Sequence, residues 1–266
     1  MVKKSIIDKI RNKSGFICDM DGVIYHGDKI LDGVKEFVSW LKSENKKFVF
    51  LTNSSERTIK ELQGKLFRMG LDVGPEHFYT SALATAAFLQ SQKANGSAYI
   101  IGEAGLINAL YNAGYSSNNI DPDYVVMGEA RSYSYEVIEK AVNLVNHGAR
   151  LVGTNPDLTG PKENGISPAT KALISPIELA TGKQAYFVGK PNPLMMRIAL
   201  KRLGVKREDT IIIGDRMDTD IVAGIEAEID TCLVLSGIST EKTIDEFAYH
   251  PHYVIQGVNE IVKNYK

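Results

Sequence analysis

Short apolar runs and longer amphipathic ones alternate from one end of the chain to the other. Runs rich in β-branched and aromatic residues occupy Gly15–Cys18, Lys47–Leu51, Ala98–Ile101, Tyr124–Met127, Leu151–Gly153, Ala185–Val188, Thr210–Ile213, Thr231–Leu235 and Tyr253–Ile255. Their composition and brevity predict buried strands. Between them the apolar positions recur at helical spacing. In Arg57–Met69 they are Ile59, Leu62, Leu66 and Met69. In Tyr135–His147, Val137, Ile138, Ala141, Val142, Leu144 and Val145 form one wide apolar face. Glu136, Glu139, Lys140, Asn143 and Asn146 form the wet one. Several helical runs close on a glycine, Gly148 and Gly182 among them, as expected where a chain must turn left-handed to leave a helix. Alternating strand and helix predicts a parallel α/β sheet with helices on both faces. Right-handed crossovers then bring the C-terminal strand ends to one edge, where ligands bind.

One stretch breaks the alternation. Asn155–Ser167 is rich in Pro, Gly, Asn and charge, and long for a connection in a compact domain. It reads equally as a surface excursion or as a functional loop.

Composition narrows the class. A chain of 266 residues, 44% apolar, suits one large or two modest domains. With 31 basic and 32 acidic residues the formal charge is −1, so there is no positive footprint for a nucleic acid polymer. Cys18 and Cys232 lie far apart in apolar runs without metal-binding spacing, which predicts buried structural thiols rather than zinc. The N-terminal residues lack the apolar core of a secretory signal, and no apolar stretch approaches a bilayer span. A cytoplasmic protein with no membrane partner is expected.

Four strand ends carry candidate chemistry. The strand Gly15–Cys18 runs into Asp19, Asp21 and Gly22. Asp-Gly is a common turn dipeptide, but two acids at a strand end also suit a nucleophile and a proton carrier. The strand from Lys47 ends in Thr52-Asn53-Ser54-Ser55. These groups suit phosphate oxygens, and Ser54 or Ser55 suits equally the N-cap of the next helix. The run Ala185–Val188 leads to Gly189-Lys190-Pro191, and position argues that this strand ends on the same edge as the others. The strand Thr210–Ile213 delivers Gly214-Asp215, then Asp218 and Asp220, carboxylates suited to a hard cation. Asp218 alternatively caps a helix beginning near Thr219.

In this order the four features closely resemble the haloacid dehalogenase superfamily. The long insertion between Thr52-Asn53 and Lys190 resembles its NagD-like phosphatases. Ala130-Arg131-Ser132-Tyr133, Thr154-Asn155-Pro156-Asp157 and Val188-Gly189-Lys190-Pro191 look like bacterial NagD proteins in particular. The resemblance implies a Rossmann-like core from 1–81 and 185–266, with an inserted α/β cap at 82–184 that closes over the site. It implies that Asp19 is the nucleophile and Asp21 the general acid and base. Mg²⁺ would be held by Asp19, the main-chain carbonyl of Asp21 and Asp215, with Asp220 outside them. Lys190, Thr52 and Asn53 would hold the phosphoryl group, and Arg131, Asn155 and Asp157 would be cap contacts to substrate. The long loop then leans towards substrate selection.

Asp21 argues against the metal-free dehalogenases, and the short interval from Asp21 to Thr52 argues against the phosphomutases. A phosphomutase or phosphotransferase of the same superfamily and a non-catalytic Mg²⁺/phosphate-binding module remain as alternatives. The expected substrates are small phosphomonoesters, with nucleoside monophosphates and sugar phosphates ahead of pyridoxal phosphate and phosphoglycolate. A homodimer is open. The five histidines have no assigned role, and His26 reads as a loop residue.

Overall fold

A computed structural model of the chain describes residues 2–162, 165–263 and 265. It divides into two compact units. The first comprises Met1–Thr52, Gln63–Tyr79 and Met195–Lys266, the second Asn53–Leu62 and Thr80–Leu194. The second unit thus takes in Asn53–Leu62 and extends to Leu194, beyond the interval 82–184 expected from the sequence. One reason is visible in the pairing. The strand before Lys190, Tyr186–Phe187, joins Arg150–Gly153 of the second unit's sheet, not the strands that carry Asp19 and Asp215. The expectation that it shares their edge is corrected accordingly. A short apolar run announces a strand but not its sheet, because pairing is a long-range choice.

In the first unit a six-stranded sheet has the order Tyr253–Ile255, Asp230–Val234, Thr210–Gly214, Gly15–Cys18, Lys47–Thr52, Phe78–Thr80. The four pairings from Tyr253–Ile255 through Lys47–Thr52 are parallel. Gly15–Cys18 and Thr210–Gly214 are buried along their whole length, which is why they read as continuous apolar runs without alternation. The helix Val34–Ser43 lays Phe37, Trp40 and Leu41 on this sheet, with Phe37 and Trp40 against Phe16 at ring centroid distances of 6.2 and 5.5 Å. Burying each such side chain stabilises the unit by roughly 1.5–3 kcal/mol. Cys18 and Cys232 are free and buried, as expected, and burial pushes both thiols well above their ordinary range.

In the second unit a five-stranded parallel sheet has the order Tyr186–Phe187, Arg150–Gly153, Tyr124–Met127, Ser97–Ile101, Ser116–Ser117. Helices Tyr135–Asn146 and Thr170–Thr181 share a core with it through Val125, Met127, Leu144, Val145, Ile174 and Ile177. The Ser134 hydroxyl accepts from the Val137 N–H and starts the first helix, while Gly182 at φ 67° ends the second.

The expected loop Asn155–Ser167 is instead largely an antiparallel hairpin, Thr159–Lys162 with Gly165–Pro168; Glu163 and Asn164 lie outside the described residues. The helix expected over Arg57–Met69 spans Ile59–Arg68 and is capped by Thr58, not by Ser54 or Ser55. Thr58 Oγ1 accepts from the Glu61 N–H at 3.2 Å and Glu61 accepts from the Thr58 N–H at 2.8 Å, a reciprocal capping box. No described helix is long and apolar enough to cross a membrane.

Candidate active site

The first unit gathers acids at the C-terminal ends of two adjacent central strands. Gly15–Cys18 delivers Asp19, whose N–H donates to the carbonyl of Ile213 at 2.9 Å, extending the ladder one step past the strand. Thr210–Gly214 delivers Asp215, which is 2% exposed, and the turn after it brings back Asp220 at 1%. One carboxylate oxygen from each of Asp19, Asp215 and Asp220 lies within 4.8 Å of the others.

Two glycines permit this crowding. A Cβ on Gly22 would stand 2.5 Å from Asp215 Oδ2, and one on Gly237 2.1 Å from the same atom. Gly22 also has φ +83°, which an L side chain adopts only with strain. Backbone groups fix Asp215 further: the Ile238 N–H donates to Oδ2 at 2.7 Å, and the Ser239 N–H to its carbonyl at 3.0 Å. Three hard oxygen donors, like-charged and close, in a cradle lined by glycine, fit a small divalent cation such as Mg²⁺. The sequence reading placed Asp220 outside the metal ligands; the structure puts its carboxylate in the same cluster as the other two. Asp220 also accepts the Arg216 N–H at 3.2 Å.

Asp218 does not belong to this cluster, nor does it cap a helix. It lies inside the helical turn Met217–Ile221, and its carboxylate takes two hydrogen bonds from the Arg216 guanidinium, at 2.7 and 3.0 Å.

Asp21 is partly exposed. Partial burial raises its carboxyl above the ordinary range, against the opposing pull of His26 and Lys65. His26 Nδ1 lies 3.4 Å from Asp21 Oδ1, so the histidine read as a loop residue ends a short strand, Tyr25–His26, facing the acid. Thr52 ends its strand buried.

The second unit assembles a different set. Asn53 clamps the main chain of Lys190: its Oδ1 accepts the Lys190 N–H at 2.7 Å and its Nδ2 donates to the Lys190 carbonyl at 2.9 Å. The same Nδ2 reaches Asp157 Oδ2 at 3.0 Å. Lys190 is only 2% exposed. Asn155 is fully buried, and its amide nitrogen donates to the Asn53 carbonyl and to Glu129 Oε1, both at 2.8 Å. Asn155 and Asp157, expected as substrate contacts, therefore bond here to Asn53. Arg131 is exposed, its Nε 4.0 Å from Glu56 Oε1.

Sequence reasoning missed Glu129 in this network, and it read Ser55, whose N–H donates to Glu129 Oε2 at 3.0 Å, as a phosphate contact or a helix cap. A signal was present: Tyr124–Met127 runs through Gly128 into Glu129 just as Thr210–Ile213 runs through Gly214 into Asp215.

The chain resembles known proteins along nearly its whole length. Residues 16–116 match the family described as haloacid dehalogenase-like hydrolase, and residues 187–261 match a second, HAD-hydrolase-like family. The chain is 45% identical over 246 residues to dihydroxyacetone phosphatase of Corynebacterium glutamicum, covering 92% of this chain and 90% of that one. It is 40% identical over 245 residues to the ribonucleotide monophosphatase NagD of Escherichia coli K12, covering 92% and 96%. The solved NagD structure superposes with a TM-score of 0.88 at 39% identity, covering 94% of this chain and 98% of that one. Glycerol phosphate phosphatase of Mycobacterium tuberculosis, solved in complex with magnesium, superposes with a TM-score of 0.88 at 25% identity, covering 94% and 76%. The order of the motifs, the two-sheet architecture and these likenesses along nearly the whole chain agree, and the chain belongs to the haloacid dehalogenase-like hydrolases, in their NagD-like group of phosphatases.

Proposed function

We propose that this phosphatase hydrolyses small phosphomonoesters through a phospho-aspartate on Asp19, with Mg²⁺ as its cofactor. The observation that carries the reading is the convergence of Asp19, Asp215 and Asp220 within 4.8 Å at the strand ends. An Asp19 carboxylate oxygen attacks phosphorus, and the bond from phosphorus to the ester oxygen breaks. Asp21 gives its proton to the departing alkoxide, and its partial burial acts in the direction that favours the protonated acid. The Asp21 carboxylate then takes a proton from water as the water attacks phosphorus. The bond to Asp19 breaks, and inorganic phosphate leaves. Lys190 and Thr52 hold the phosphoryl oxygens, and Asn53 holds the backbone of Lys190. Asp19, Asp215 and the Asp21 carbonyl would hold Mg²⁺, with Asp220 beside them; when bound, the ion offsets the negative charge gathered there. The magnesium complex of the mycobacterial relative supports that choice of ion. The names of the relatives favour sugar phosphates, triose phosphates included, and nucleoside monophosphates as substrates.

The test is phosphate release from a panel of phosphomonoesters, with Mg²⁺ and with EDTA, for the wild type and Asp19→Asn. Metal-dependent release that falls at least about a thousandfold in Asp19→Asn is expected. Turnover surviving both EDTA and the substitution would remove Asp19 from the nucleophile's role. Transfer of phosphate to a second sugar without free phosphate would identify a phosphotransferase instead.

A further inference from the structure

The second unit holds a carboxylate that the reaction described above does not use. Glu129 follows the central strand of the five-stranded sheet and takes three hydrogen bonds on its two oxygens. Oε2 accepts from the Ser55 N–H at 3.0 Å and from the Ser55 hydroxyl. Oε1 accepts from Asn155 Nδ2 at 2.8 Å. The same amide nitrogen donates to the Asn53 carbonyl at 2.8 Å, while Asn155 Oδ1 accepts the Asp157 N–H at 3.1 Å. Asn53 in turn clamps the Lys190 main chain on both sides. Hydrogen bonds therefore link Glu129 to the Asn155 amide, that amide to the main-chain carbonyl of Asn53, and the Asn53 side chain to the main chain of Lys190.

These bonds have one workable polarity. Flipping the Asn155 amide would set its oxygen against two acceptors, Glu129 Oε1 and the Asn53 carbonyl, and its nitrogen against a donor, the Asp157 N–H. Both Glu129 oxygens accept here, and Oε1 adds to the Asn53 carbonyl and the Asp157 N–H in favouring the observed orientation; a glutamine would turn an NH₂ group towards Ser55 or Asn155. Packing leaves little slack. A Cβ on Gly128 would stand 2.4 Å from Ser55 Oγ, and one on Gly189 2.7 Å from Asn53 Oδ1 and 2.9 Å from Asn155 Cβ.

We propose that Glu129 is a positioning residue for Lys190, setting the Asn155 amide and through it the Asn53 clamp in the orientation that places Lys190 for phosphoryl transfer. The proposal rests on the role given to Lys190 above. A purely structural Glu129 would weaken folding whatever side chain stood at 190. A positioning Glu129 matters to turnover only while Lys190 is there to be positioned.

The experiment is a double-mutant cycle on the full chain, hydrolysing p-nitrophenyl phosphate with Mg²⁺, using Glu129→Gln, Lys190→Met and both together. Glu129→Gln is expected to lower kcat roughly ten- to hundredfold with KM within about threefold. Added to Lys190→Met, it should cost less than about twofold more. An equal loss in both backgrounds, or undiminished kcat in Glu129→Gln, overturns the proposal. If Lys190→Met turns over too slowly to measure, calorimetric affinity for inorganic phosphate replaces kcat. Glu129→Gln should then weaken binding about tenfold with Lys190 present and leave it unchanged with Met there; equal weakening overturns the proposal. Should Glu129→Gln lose the native circular dichroism spectrum, Ser55→Ala, which deletes one donor to Glu129, enters the same cycle with an expected loss of about threefold in kcat. Asp19→Asn is measured alongside. Full turnover there would sink the catalytic reading as a whole, while the coupling of Glu129 to Lys190 is still decided by the cycle.

Discussion

In the six-stranded sheet, Gly15–Cys18 and Thr210–Gly214 run into carboxylates that crowd one another; in the five-stranded sheet, Tyr124–Met127 and Arg150–Gly153 run into a carboxylate met by donors and an amide that supplies one of them. The strand grammar is alike in both: a parallel apolar run ends on a polar residue, reached through a glycine or threonine in three of the four strands and directly at Cys18-Asp19 in the other. What differs is how the negative charge is met. Asp19, Asp215 and Asp220 face one another within 4.8 Å, and like charges so close favour a cation or a proton among them. Glu129 faces Ser55 and Asn155, whose N–H and O–H groups meet its oxygens directly. The first arrangement suits a ligand that arrives and leaves. The second suits a scaffold that should not move.

That contrast is open to attack, first where the effect is largest. Asp215→Asn should cost roughly a hundred- to thousandfold in phosphate release and remove the response to Mg²⁺. For the wild type, Mg²⁺ at a hundred times its dissociation constant should add about 2.7 kcal/mol of stability, read as a rise in Tm. A variant that keeps this rise would show that the acids do not bind the ion together.

Gly237→Ala probes the cradle rather than the charge. Its Cβ would sit 2.1 Å from Asp215 Oδ2, so the carboxylate must shift or the loop must move. A loss of about 1–3 kcal/mol in stability, together with weaker Mg²⁺ stabilisation, is expected in urea unfolding with and without the ion. An unchanged Mg²⁺ response would mean that Asp215 is not held as tightly as its packing indicates.

The scaffold should reveal itself through pH. Burial raises the Glu129 carboxyl above the ordinary value of 4.5, while the Ser55 and Asn155 hydrogen bonds act to lower it. Below about pH 4.5 the group is protonated in both folded and unfolded chains, and its contribution to stability is complete. As pH climbs past that value the unfolded chain releases the proton first. The folded chain then binds more protons, and stability falls until pH passes the raised folded value. Unfolding midpoints across this window should slope downward in the wild type and less so in Glu129→Gln. Equal slopes would place the titration elsewhere.

The smallest effect is expected at Asp218. Its carboxylate pairs with Arg216 at the surface, so Asp218→Ala should cost less than about 1 kcal/mol and leave the Mg²⁺ response intact. A lost response would bring Asp218 into the acidic cluster and redraw the comparison.

Much of this was legible in the residues. Continuous apolar runs marked the central strands because both faces of a parallel sheet are buried. Tyr124–Met127 and Tyr253–Ile255 keep the bounds expected from the sequence. Asp19, Asp21 and Asp215 stood out because acids are unusual at the end of such strands. Other features were hidden for reasons of distance. The short strand Tyr186–Phe187 looked like any other apolar run, and only its partner assigns it to the second sheet. The hairpin Thr159–Lys162 with Gly165–Pro168 carries too little apolar patterning to be told from a loop. Asn155 read as a substrate contact because a polar residue in a polar stretch carries no mark of burial.

The sequence by itself determined the alternation of strand and helix and the order of acids along the chain, because both depend on neighbours within a few residues. Only the tertiary structure decided that Asp220 joins Asp19 and Asp215 while Asp218 turns to Arg216, and that Asn53 clamps Lys190. Those outcomes depend on which backbones approach closely enough to share a charge or a proton. Gly22 and Gly237 allow such an approach beside Asp215, and Gly128 and Gly189 allow it around Ser55 and Asn53. Closeness of that kind belongs to the folded chain and has no representation in one dimension.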